Sequence, residues 1–242
     1  MQSLSAVQLV RALAALMVAV WHVQHDAVAL AQRFGFAFAT SEFLPWMAGV
    51  DIFFVVSGFV MVHSSARLFG QPEGSRIFLM RRLIRIVPLY WMTTLAFVVL
   101  AFLLPAALNS APPGIADIAR SLVFWPYENA AGAVQPVYSL GWTLNYEMLF
   151  YLLFALALGV SELAGGVVAL VTLALVGLFA AQRLFGLPLP VSYWGQPIVF
   201  EFVLGMAIGL MRAEGVRLSG TLRWLFTLAA FTLLVTKSGL AQ

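Results

Sequence analysis

Cysteine is absent from the 242 residues. That excludes disulfides, thiolate chemistry and cysteine–zinc sites. Charge is nearly as scarce. Asp, Glu, Lys and Arg make up 10% of the chain, against about 25% in an ordinary soluble domain. No glycine-rich phosphate loop of the Walker or Rossmann kind is present, so any nucleotide-bearing ligand has to be held without those folds. No repeat recurs at a fixed period of about 20–50 residues, which removes solenoids and propellers. The first apolar run is not followed by a small-residue cleavage site and carries polar groups out of place in a disposable segment, so no signal peptide is expected. The net charge is only +3, and the arginines sit at the ends of apolar runs. They read as topology signals, and no nucleic-acid partner is expected.

What is there is apolar. Hydrophobic residues make up 62%, and mean hydropathy is +0.97. The chain's main solvent is expected to be lipid. A spanning helix needs about 20 mostly apolar residues. Seven segments qualify: Ala6–His25, Pro45–Ser64, Ile84–Leu104, Val137–Val160, Leu163–Ala181, Trp194–Met211 and Leu222–Thr236. The fold expected is therefore all-α: a single-domain, polytopic integral membrane helical bundle of about seven transmembrane helices. Two connections are long, Gln24–Leu44 and Pro105–Pro136, and are candidates for surface or re-entrant structure that reaches a substrate.

Orientation follows from arginine and lysine. With the N-terminus in the cytoplasm, that side receives Arg11, Arg67, Arg76, Arg81, Arg82, Arg85, Arg212, Arg217 and Arg223; the other receives Arg33, Arg120, Arg183 and Lys237. This bias predicts a multi-pass protein of the cell (inner) membrane, N-terminus inside, with the long loops facing outward.

Polar groups inside a span mark function by default. Arg11 and His22 bracket the apolar stretch "RALAALMVAVWH". Eleven residues at 100° each come to about 20° beyond whole turns, so both project from one helix face, about 16 Å apart along the axis. Arg11 then lies near the cytoplasm and His22 in the outer half. In the fourth span Ser139, Thr143, Glu147 and Tyr151 recur every four residues and form one polar stripe. Glu147 lies at a depth similar to that of His22. A neutral imidazole beside a carboxylate is a workable general base. Asp51, near the outer end of the second span, is the alternative carboxylate. Arg81, Arg82 and Arg85 open the third span. Besides their topological role they suit a phosphate clamp, because clustered guanidiniums bind phosphate multidentately. Gly205 and Gly209 read as close helix packing. His63 reads as interfacial. His22 and His25 lack a third ligand in sequence, so no metal is expected.

Four segments occur in a telling order: Arg11, ten residues, His22; "GVDIFFVVSGF"; "RRLIRIVPLYW" with Arg82-x-x-Arg85; and "GWTLNYEMLFYLLF" with Glu147. Over about residues 7–155 the chain resembles the membrane-bound acyltransferase 3 family, and within it the exopolysaccharide-production acetyltransferases. The family typically has about ten spans against the seven counted here, so the chain is read as a fragment without the last three helices or as an abbreviated member. The resemblance implies O-acylation, commonly acetylation, of a carbohydrate hydroxyl, with acetyl-CoA as a substrate and no bound cofactor. His22 would be the base or the first acyl carrier, with Glu147 or Asp51 beside it. Arg11, Arg82 and Arg85 would grip the donor phosphates. Thr143 and Tyr151 would line the acceptor site, for a polysaccharide or lipid-linked oligosaccharide. Oligomeric state is not encoded in any of these features. Two other classes carry polar groups in mid-membrane: a transporter or flippase of a lipid-linked sugar, and a non-catalytic partner of a polysaccharide synthase. Hydrolysis of, or transfer from, acetyl-CoA separates the enzyme from both.

Overall fold

The computed structural model describes residues 5–104, 112–217, 219–222, 224, 225 and 228. Among these every regular element is a helix; one isolated antiparallel bridge joins Glu128 and Val134, and there is no strand. Four helices are long and apolar enough to cross a membrane: α1 (Ser5–Phe34), α3 (Gly74–Leu103), α5 (Trp142–Val160, entered through a 3-10 turn at Ser139–Gly141) and α6 (Ala164–Phe185). The others are α2 (Ala48–Ser64), α4 (Ile115–Leu122), the single turn α7 (Val191–Trp194) and α8 (Val199–Ala213). Of the seven expected spans, the second and sixth appear as α2 and α8, of 17 and 15 residues. The seventh, with Arg223 and Lys237, lies outside the described residues apart from its first positions.

Two helices extend beyond their apolar runs. α1 runs nine residues past His25, so most of the predicted Gln24–Leu44 connection is helix. It ends at Gly35, whose φ of 74° is a conformation that side-chain-bearing residues rarely take. α3 begins ten residues before the expected Ile84. Its 30 residues rise about 45 Å, against a hydrocarbon core of about 30 Å. Pro88 interrupts its ladder only by withholding the N–H owed to Ile84.

The chain divides into two compact units, residues 1–63 with 204–242 and residues 64–203. In the first unit α1 and α2 pack antiparallel. Gly49 lies against Ala14, Met17 and Val18, so closely that any Cβ there would meet the Ala14 carbonyl at 2.6 Å. α2 and the second half of α8 run parallel. Gly205 rests on the Val55 carbonyl and Gly209 on Phe59 and Val62, the close approach expected of the small-residue pair. These directions agree with alternate crossing of a membrane.

This contact makes a stability prediction. Gly205→Val puts branched carbon onto a backbone oxygen that cannot move aside. It should cost about 3 kcal/mol or more, the upper range for overpacking, and lower both abundance and melting temperature in detergent. Gly165 is the control, because a Cβ there would meet nothing within 4 Å. Gly165→Ala should be neutral or slightly stabilising, as alanine is the better helix former.

In the second unit α5 is the centre. Phe150 and Phe154 are fully buried, with Val167, Val171 and Leu175 of α6 and Phe202 around them. Phe150 and Phe202 stack at 4.0 Å. The turn α7 is clamped to the start of α5: Tyr146 Oη donates to the Tyr193 carbonyl at 2.6 Å, Tyr193 Oη to that of Trp142 at 3.0 Å, and Trp194 Nε1 to that of Asn145 at 3.3 Å. The second long connection is ordered over its described part. Tyr90 Oη donates to the Ser121 carbonyl at 3.1 Å and Trp91 Nε1 to that of Leu122 at 2.8 Å, which fixes the end of α4 on α3. Asn129 Oδ1 accepts two N–H groups of the turn that follows it.

Candidate active site

The residues singled out in the sequence fall into both units. Arg11, His22 and Asp51 belong to the first; Arg82, Arg85, Thr143, Glu147 and Tyr151 belong to the second.

In the first unit Arg11 and His22 lie on one unbroken helix, as the angular arithmetic requires, and both are half-buried. The His22 ring meets Trp21 edge-on at 4.8 Å, and Trp21 stacks on His25 at 5.3 Å. His25 Nδ1 lies 3.5 Å from Asp26 Oδ1, on side chains 66% and 83% exposed. Asp51 is half-buried in the first turn of α2. The antiparallel register, set by Gly49 against Ala14–Val18, carries Asp51 to about the level of Ala14. That is eight residues, or about 12 Å along the axis, from His22. His63 stacks on Phe59 at 5.8 Å, one turn away on its own helix.

In the second unit α3 and α5 are antiparallel, and their register is legible in named pairs. Ser75 Oγ donates to the Ala155 carbonyl at 2.6 Å, Phe78 packs on Phe154 at 4.8 Å, and the Tyr90 ring lies against Gly141. Between these pairs Arg82 falls opposite Tyr151. Its guanidinium carbon stands 5.7 Å from the Tyr151 ring centre and 5.5 Å from that of Phe78, within the range of a cation–π contact. Its Nη2 donates to Ser64 Oγ at 2.6 Å. Tyr151 Oη in turn donates to Glu147 Oε2 at 2.6 Å, the short distance of a bond to a carboxylate. The same register brings Arg85, exposed and one turn along α3, to the level of Glu147. Thr143 is half-buried in the first turn of α5, one turn before Glu147. Ser139 does not continue the stripe, because it lies in the 3-10 turn that precedes α5.

Arg82, Tyr151 and Glu147 thus form one cluster with Arg85 at its level, where the sequence had placed arginines and carboxylate at different depths. The early start of α3 explains this. It puts Arg82 nine residues into a helix and beside the middle of α5. Chemically, the cluster offers a planar, permanently charged fork braced on two aromatic faces, with a carboxylate one hydrogen bond behind. Ser64 and Phe78 carry part of it and were not singled out in the sequence. Neither residue stands in a local pattern that marks it, and only the helix register brings them to Arg82. Among the described residues no three of His, Asp or Glu converge as a metal site would require.

The acyltransferase domain of the acyltransferase 3 family matches residues 4–241. The chain belongs to the acyltransferase 3 family. The exopolysaccharide production protein ExoZ of Rhizobium meliloti (strain 1021) is 37% identical to it over 172 residues, which is 69% of this chain and 51% of that protein. The chain spans about half the length of the curated relative it matches. No solved structure matches it. As an acyltransferase 3 chain it keeps all four motif segments within described helices: α1 carries Arg11 and His22, α2 carries Asp51, α3 carries Arg82 and Arg85, and α5 carries Glu147.

Proposed function

We propose that this protein is a membrane O-acyltransferase that moves an acetyl group from acetyl-CoA to a sugar hydroxyl of an exopolysaccharide or of its lipid-linked precursor. The family match over nearly the whole chain carries this reading, and the exopolysaccharide relative supports the acceptor class. The protein sits in the inner membrane with its N-terminus in the cytoplasm. Acetyl-CoA arrives from that side, and Arg11, Arg82 and Arg85 hold its phosphates, guanidinium forks being suited to phosphate oxygens.

His22 is the base. Its imidazole takes the proton of the sugar hydroxyl as the oxygen attacks the thioester carbonyl. The carbon–sulfur bond then breaks, and the departing CoA thiolate recovers the proton from the imidazolium. A carboxylate lowers the energy of that charged state, and the motif segment that carries Glu147 makes this residue the candidate for the part. Thr143 and Tyr151 line the route of the substrates.

The test is isotopic. Vesicles with the cytoplasmic face outward receive acetyl-CoA labelled in its acetyl group, and the polysaccharide is analysed by mass spectrometry. Label should enter the polymer as an alkali-labile ester on one sugar. A polymer of the same mass with and without the gene, and no consumption of acetyl-CoA, would overturn the reading.

A further inference from the structure

The loop between α1 and α2 folds back over the last turns of α1. Two hydrogen bonds hold it there. The Ser41 N–H donates to Gln24 Oε1, and the Trp46 indole N–H donates to the Ser41 carbonyl at 2.6 Å. Between loop and helix lies a cavity of about 590 Å³, walled by residues drawn from 21–46 of the first unit alone. Small-molecule sites run from about 300 to 1,000 Å³.

The walls select for one kind of ligand. Trp21 and Trp46 supply flat apolar surface; Gln24, His25, Gln32 and Glu42 supply both hydrogen-bond donors and acceptors. No arginine or lysine lines the cavity among the described residues. Arg33, next to Gln32 on α1, is not part of the wall. The cavity therefore lacks the cations that the phosphates of a CoA ester would call for, in contrast to the Arg82 cluster. An alkyl chain would use the aliphatic walls at Val28, Leu44 and Pro45 but none of the hydrogen-bonding groups. A neutral sugar ring meets both demands. Its C–H faces lie on the negative face of an indole, and its rim of hydroxyls pairs with amides and carboxylate. Trp46 is held by its N–H bond before any ligand arrives, so little ordering is needed on binding.

We propose that this cavity receives a neutral sugar ring of the acceptor glycan. The inference rests on the O-acyltransferase reading and gives its acceptor a place. Trp21 is both a wall of the cavity and the ring that meets His22 edge-on at 4.8 Å. His22 itself does not line the cavity, whose histidine is His25; a sugar lodged here is separated from the His22 imidazole by the Trp21 ring, at the end of α1 remote from Arg11.

Two measurements test this on the full chain. The probe is a set of alkali-deacetylated oligosaccharides cut from the exopolysaccharide of the producing bacterium. In the acylation assay Trp46→Ala should raise the apparent KM for the oligosaccharide about tenfold, the scale of one lost aromatic platform, without a matching rise for acetyl-CoA. Trp46→Phe keeps a flat ring but loses the N–H to Ser41, and should recover most of the affinity. If Trp46 only pinned the loop, both variants would fail alike, and that result overturns the proposal. Gln32→Ala and Glu42→Gln, at exposed positions where folding is not at stake, should raise the same KM. An unchanged KM in both also overturns it. The second measurement is calorimetric titration of the oligosaccharides into the His22→Ala protein, which needs no turnover. Binding that Trp46→Ala abolishes supports the site even if acyl transfer is never detected. Consumption of acetyl-CoA with no oligosaccharide binding removes the site and leaves the enzyme reading standing.

Discussion

His22→Ala should leave the protein in the membrane at its normal level and slow acyl transfer by about 10²–10⁴-fold, the usual loss when a general base is removed. The fold has little reason to suffer. His22 is half-buried within a helix of 30 residues, its ring meets the edge of its neighbour Trp21, and alanine is the best helix former. The expected effect is therefore on rate. His63→Ala is the matched control: it also removes a half-buried imidazole from a helix, one that rests on Phe59, and should acylate near the original rate. If the His22→Ala protein, inserted and abundant, acylates as fast as the His63→Ala protein, His22 is not the base. The readout is ester content of the polysaccharide per amount of protein in the membrane.

The helices were legible in the sequence wherever lipid alone decides. The runs of α5 and α6 and the core of α1 stand at or near their expected bounds, because a long apolar run has no other stable home. Bounds were missed where helix propensity or packing took over from hydropathy. "QHDAVALAQRF" dilutes the apolar run after His22, yet contains nothing that breaks a helix, and α1 continues to Gly35. "GSRIFLMRR" looks too charged to join a span. Its Phe78 is nonetheless buried against Phe154 and Tyr151 of α5, and that contact holds Arg82 beside α5. The bond between Tyr151 and Glu147 was legible because both lie on one helix at a spacing of four. The contact between Arg82 and Tyr151 was not, because periodicity sets which face a residue takes but not how far one helix slides past another. The cavity beneath residues 35–47 was hidden for a related reason. It depends on two hydrogen bonds from a loop with no periodicity at all.

Arg82, Tyr151 and Glu147 should behave in kinetics as a single unit. The chain of contacts runs from the guanidinium over the Tyr151 ring to the Tyr151 hydroxyl, and from that hydroxyl to the Glu147 carboxylate. On the donor role proposed for Arg82, Arg82→Gln removes a phosphate-binding charge and should raise the apparent KM for acetyl-CoA about 10–100-fold, the range for a lost hydrogen bond to a charged group. Tyr151→Phe and Glu147→Gln each alter the same 2.6 Å bond. The first deletes the donor. The second keeps the shape and removes the charge that makes the bond strong. Their effects should therefore not add: the double variant should be about as slow as the slower single one, because residues in one hydrogen-bonded network share their energy. Rates for both single variants and the double one settle this, and losses that multiply would break the unit apart. A second cycle pairs Glu147→Gln with His22→Ala. The proposed mechanism has Glu147 steady the imidazolium. If it does, the His22→Ala and Glu147→Gln losses fall far short of their product. If they multiply, Glu147 acts with Arg82 and Tyr151 alone, and His22 works without it.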